Sequence, residues 1–105
     1  MKMNKALRNT LFLGLALLSI DTPASEALAK SKGCLGCHGI DSKIVGPAYR
    51  DVAKKYAGAA DAADKLAEKV MKGGGGVWGQ MPMPPNPQVN AEEAKQLVQW
   101  ILGLQ

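Results

Sequence analysis

Both cysteines of the chain and its one histidine fall within seven residues, Gly33-Cys34-Leu35-Gly36-Cys37-His38-Gly39. Two thiols and an imidazole at this spacing have three chemical uses. A Cys34–Cys37 disulfide would close a two-residue gap and remove little unfolded-state entropy. A redox-active dithiol shares the spacing but usually sits in a βαβ setting, and beyond residue 24 no alternating strand pattern of useful length is found. The third use is covalent attachment of haem. C-x-x-C-H lets two thiols add across the two vinyl groups of the macrocycle while the next residue ligates the iron. A single helical turn would bring Cys34 and Cys37 to one edge of the ring and point His38 at the metal.

With no second histidine, a sixth iron ligand must be another donor, a small exogenous molecule, or nothing. Beyond residue 24 there are three methionines, Met71, Met81 and Met83. Met71 falls in a helical pattern, where methionine is usually core filler. Met81 and Met83 lie in Gln-Met-Pro-Met-Pro-Pro-Asn, residues 80–86. Its prolines reduce the entropy lost on ordering, so the segment can hold a weak thioether donor in place. Spacing leaves both methionines open. His/Met ligation raises the reduction potential, which suits electron transfer.

Four helices are expected to position these groups. The first runs over residues 25–32, with Ser25 as cap and Gly33 as stop. A second covers 48–57 after the Gly46-Pro47 turn; Tyr49, Val52, Ala53 and Tyr56 recur at spacings of three and four, the mark of one buried face. A third covers 61–72, with Leu66 and Val70 inward and Lys65, Glu68, Lys69 and Lys72 outward. The last follows Asn90, with Glu93 three residues on in a capping-box arrangement. Its stripe is Ala94, Leu97, Val98, Ile101 and Leu102. Residues 73–89 hold four successive glycines and four prolines, which exclude regular structure. A loop of that length is usually functional or disordered, and its tryptophan, methionines and prolines favour function.

The chain has 105 residues, but its start reads as an export signal. Lys2, Lys5 and Arg8 precede the apolar run Thr10–Ile20, and small residues follow. Eleven apolar residues fall short of the roughly 20 that span a bilayer. Residues 1–24 are therefore expected to be cleaved, leaving one domain, 25–105, exported to the periplasm; the alternative is a retained anchor. Removing Lys2, Lys5, Arg8 and Asp21 leaves ten basic and eight acidic residues, a net charge of +2. Without a basic run, nucleic acid is excluded as a partner. A domain this small gains from a cofactor in its core. Only Tyr49, Tyr56, Trp78 and Trp100 remain as aromatics, so a haem would supply missing apolar mass.

Four segments, GCLGCHGID, KIVGPAYRDVAKKYAG, GVWGQMPMPPN and EEAKQLVQWILGL, together resemble the small bacterial periplasmic class I monohaem cytochromes c. The resemblance covers essentially all of residues 25–105. It implies an all-α cytochrome c fold, four short helices wrapped around one covalent haem c. Cys34 and Cys37 would form the thioethers and His38 the fifth ligand. The family's Pro-Met-Pro-Pro-Asn motif selects Met83 as the sixth and leaves Met81 as packing. The Pro47 carbonyl would accept the second ring N–H of His38, Arg50 and Trp78 would bond the haem propionates, and the Asn86 amide would approach the methionine sulfur. Trp100 would pack beside the first helix and the haem. Two departures stand out: the connection after Asn86 is about one residue longer than in many relatives, and Ala29 replaces an aromatic, for which Tyr56 could compensate.

The function implied is that of a monomeric periplasmic one-electron carrier rather than an enzyme. It would serve redox proteins such as a nitrite reductase, terminal oxidase, peroxidase or upstream cytochrome complex. Lys30, Lys32 and Lys43 could form a basic docking rim. The alternative is a haem enzyme or gas-binding protein with a displaceable sixth ligand, against which stands the absence of a distal acid or base in residues 73–89.

Overall fold

The computed structural model describes residues 22–104, and α-helices carry its architecture: α1 (Thr22–Ser31), α2 (Tyr49–Lys55), α3 (Ala62–Lys72) and α4 (Ala91–Leu102). A 3-10 turn, Cys34–Gly36, lies between α1 and α2. The described residues contain no strand, only isolated bridges pairing His38 with Lys43 and Gly74 with Met83. The expected export signal lies outside the described residues except for 22–24, the first turn of α1. Ser25 consequently sits inside α1 and does not cap it. No described helix is long and apolar enough to cross a membrane.

Helix α4 is the centre of the fold because its apolar stripe is the most continuous. Ala94, Leu97, Val98, Trp100 and Ile101 are all buried, and α1, α2 and α3 each pack against it. Its start is fixed by the expected capping box: Asn90 Oδ1 accepts from Glu93 N at 2.8 Å, and Glu93 Oε1 accepts from Asn90 N at 3.1 Å. These bonds satisfy two donors that a helix N-terminus otherwise leaves unpaired. From α2, Tyr49, Val52 and Ala53 are buried as their spacing requires, with Tyr56 half-buried just past the helix. Ala29 of α1 is completely buried, and Tyr56 packs at the edge of the same core.

Helix α3 ends at Gly73, where φ is 78°. That left-handed geometry favours glycine, and space demands it as well: a Cβ there would lie 2.5 Å from the Met83 carbonyl oxygen. The chain can therefore turn sharply out of α3 and run back beside itself. Met83 N donates to Gly74 O at 2.7 Å and Gly74 N to Met83 O at 3.0 Å. Residues 73–89 are thus an ordered path without helix, closed on α3 at one end and on α4 at the other.

Candidate haem site

The Cys34–Gly36 turn is the structural expression of the C-x-x-C-H spacing. Cys37 N and His38 N both donate to the Cys34 carbonyl, at 3.2 and 3.0 Å. One tight turn therefore gathers both sulfurs and starts the histidine on its course. Burial pushes the Cys34 thiol above its usual range, while a hydrogen bond from the Tyr49 side chain acts the other way. A dithiol catalyst needs a thiol lowered toward the thiolate, and Cys34 is shifted in the opposite direction. Among the described residues no three His, Cys, Asp or Glu side chains converge on one ion, so the turn is no tetrahedral metal site either.

The His38 ring is held on several sides. Its Nδ1 lies 2.8 Å from the Pro47 carbonyl, which fixes the ring and leaves Nε2 as the nitrogen available to a metal. Gly46 passes so close that a Cβ there would lie 2.6 Å from His38 Cε1. The Tyr49 ring stacks on the imidazole with centroids 4.7 Å apart and planes 18° from parallel. Trp100 meets Tyr49 edge-on at 5.6 Å, so the histidine's support continues into the buried face of α4. Tyr49 is itself buried, which pushes its phenol well above the usual range.

In front of His38 lies an apolar cleft of two adjoining lobes, with His38, Pro47, Lys69 and Trp78 lining both. One lobe, open to solvent, is also lined by Cys37, Met81 and Met83. The other, also open to solvent, is lined by side chains of the core and its edge, among them Val52, Leu66, Val98 and Ile101. The cleft thus presents what a flat, largely apolar macrocycle needs: greasy walls, the Cys37 thiol at one edge with Cys34 on the same turn, an oriented imidazole and a thioether. The residues fit haem.

The remaining expected residues divide. Trp78 lines both lobes, with the Lys55 ammonium 5.7 Å from its ring centre. Met83 is half-buried, whereas Met81 is 71% exposed. Arg50 does not line either lobe; its Nε donates to Asp41 Oδ1 in an exposed ion pair. Asn86 donates both amide hydrogens to carbonyls, to Val70 O at 2.9 Å and to Pro84 O at 3.3 Å. Its side chain therefore ties the loop to α3 rather than addressing a sulfur. Lys32 is no loose rim charge, since its ammonium bonds Gln88 O at 3.0 Å and Glu93 at 3.3 Å.

Two site residues were not legible as such. Lys69 was expected to point outward, yet it is half-buried and lines both lobes. The signal was its spacing of three from Leu66, which puts it on the edge of the inward face, where an aliphatic stem can cover apolar surface. Tyr49 was read as core, but its stacking on His38 depends on a loop path that no periodicity reports.

Comparison with known proteins agrees with this geometry. Residues 24–105 match the family described as cytochrome c. The chain belongs to the cytochrome c family. It is 63% identical over 83 residues to cytochrome c-552 of Hydrogenobacter thermophilus, covering 79% of this chain and 84% of that protein. Cytochrome c-551 of Stutzerimonas stutzeri is 52% identical over 104 residues, covering 97% and 99% of the two chains. The crystal structure of Nitrosomonas europaea cytochrome c552 superposes with a TM-score of 0.74 at 51% identity, covering 76% of this chain and 99% of that one. The fold is accordingly the all-α cytochrome c fold, and the cofactor of this small cytochrome c is one covalently attached haem. The family is one of electron carriers.

Proposed function

We propose that this cytochrome c is a soluble periplasmic carrier of single electrons, with His38 and Met83 as the axial ligands of its haem and Cys34 and Cys37 as the thioether attachments. The observation that carries the reading is the shared lobe: His38, with Nδ1 engaged by Pro47, and the half-buried Met83 line the same cleft beside Cys37. When bound, the haem supplies the one-electron Fe(III)/Fe(II) couple. The chain does the rest. Pro47 and Tyr49 hold the imidazole, the Gly74–Met83 bridge presents the thioether, and the apolar walls exclude water, so little needs to rearrange with oxidation state.

Trp78 is the side chain best placed to bond a propionate. Arg50, paired with Asp41, would serve a propionate through its other guanidinium nitrogens. Residues 1–24 are the export signal and 25–105 the mature monomer. Its partners are redox proteins of the respiratory chain, such as a nitrite reductase, terminal oxidase, peroxidase or upstream cytochrome complex. Lys30 and Lys43 are exposed and remain the basic rim that would steer an acidic partner at low salt.

The test is a visible spectrum of the exported protein in both oxidation states, with an alkaline pyridine haemochrome. A c-type haemochrome and a weak far-red sulfur-to-iron band in the ferric protein are expected. Met83→Ala should abolish that band and Met81→Ala should retain it. A missing band with ready carbon monoxide binding would instead favour a gas-binding or catalytic haem. Two titratable thiols without haem would overturn the whole assignment.

A further inference from the structure

The longer connection after Asn86 and the lysine before the haem-attachment turn meet each other. Lys32, two residues before Cys34, donates its ammonium to Gln88 O at 3.0 Å. Gln88 returns the contact, its Nε2 donating to Lys32 O at 3.1 Å. The same amide nitrogen donates to Asn86 Oδ1 at 3.1 Å. Asn86 passes the link on to Val70 O and Pro84 O, and Asn86 N donates to Met71 O at 3.2 Å. Pro84 directly follows Met83. An unbroken chain of hydrogen bonds thus joins the segment carrying Cys34, Cys37 and His38 to the segment carrying Met83, through residues 56 positions apart in sequence.

The Gln88 side chain touches both segments, donating to Lys32 O on one side and to Asn86 Oδ1 on the other. Asn86 can face either its oxygen or its nitrogen toward α3, and the two orientations are nearly isosteric. With Gln88 donating to Oδ1, the Asn86 nitrogen must face the Val70 and Pro84 carbonyls, and both bonds form. Without that donor the Asn86 amide is held by the two carbonyls alone, and the methionine loop loses its side-chain tie to Lys32. A thioether is a weak ligand, so a small loss of loop order next to Met83 is felt as detachment of the sulfur.

We propose that Gln88 is a positioning residue for the sixth ligand: clasped to Lys32, it sets the register between the haem-attachment turn and the methionine loop and so suppresses release of Met83. The inference rests on Met83 as ligand.

The experiment measures binding of imidazole to the ferric holoprotein, since an external ligand enters only when the methionine leaves, and its apparent affinity scales with the open fraction. Gln88→Met keeps the length and volume and removes both donors. With two exposed hydrogen bonds lost, imidazole affinity is expected to rise about tenfold and the far-red band to weaken. Asn90→Ala, which removes the α4 cap but leaves the clasp, is expected to lower denaturant stability while keeping imidazole affinity within about twofold of wild type.

The proposal is overturned if Gln88→Met binds imidazole as wild type does, whatever its stability. It is equally overturned if Asn90→Ala gains imidazole affinity to the same degree, since general loosening would then explain both. A wild-type protein lacking the far-red band would defeat the Met83 assignment and this proposal together, whereas a wild-type band with unchanged imidazole binding in Gln88→Met defeats the clasp alone.

Discussion

His38 carries more constraints than any other side chain in the site. Its ring is fixed by a hydrogen bond to Pro47, a stack on Tyr49 and the close approach of the Gly46 backbone. Each acts on a different degree of freedom: the carbonyl fixes which nitrogen is left free, the phenol ring fixes the plane, and Gly46 sets how near the backbone may come. The last predicts a sharp effect from a single methyl group. Gly46→Ala would put a Cβ 2.6 Å from His38 Cε1, and the ring cannot yield without straining its bond to Pro47. Overpacking of this kind costs about 1–3 kcal/mol. A lowered denaturation midpoint should be accompanied by a shifted reduction potential, because the displaced imidazole is the proposed iron ligand. A midpoint change without any change in potential would mean that the backbone, not the ring, gives way.

At the level of elements, the N-terminus of α4 is where three parts of the chain are joined. Glu93 accepts from the Asn90 backbone within the capping box and also pairs with Lys32 from just beyond α1. Its carboxyl is held below the usual carboxylate range, first by the Asn90 backbone hydrogen bond and then by Lys32. A depressed folded-state pKa means that the stabilisation is present above the unfolded-state value and is lost as pH falls through the folded-state value. Unfolding measured from pH 7 downward should therefore show a loss of stability beginning near the ordinary glutamate range and continuing below it. Glu93→Gln, which can still complete a capping box, should flatten that part of the profile. If the profile of the variant matches the wild type, the acid sensitivity belongs to other carboxylates.

The molecule as a whole is built around a group that is not polypeptide. Among the described residues only Leu97 and Val98 are large side chains with less than 2% exposure, a thin core for a domain this size. The buried faces of α2, α3 and α4 instead contribute Val52, Leu66 and Ile101 to the wall of a cleft. Haem bound there would complete the core, and its binding free energy would be in large part folding free energy, as for other obligate cofactors. Replacing both Cys34 and Cys37 with alanine, so that no covalent attachment forms, should remove the sharp thermal transition of the holoprotein. Far-UV circular dichroism would then show weak, broad melting. A cooperative transition retained near the holoprotein's own midpoint would show that the polypeptide core suffices.

Much of this was legible from local pattern alone. The C-x-x-C-H run pointed to a covalently attached haem because thioether formation and ligation need such groups within one turn. Asn90 and Glu93 specified the start of α4 because capping depends on residues three apart. Tyr49, Val52 and Ala53 marked the buried face of α2 by spacing. What only the tertiary structure decided were contacts across long separations. It turned Lys69 into the cleft, moved Lys32 from a supposed rim charge to a tether on Gln88 and Glu93, and engaged the Asn86 amide with α3. Local sequence reports periodicity and capping, which act over a few residues. The partner of a long polar side chain depends instead on which distant backbone carbonyls the packed helices bring within 3 Å or so, and no short-range pattern encodes that.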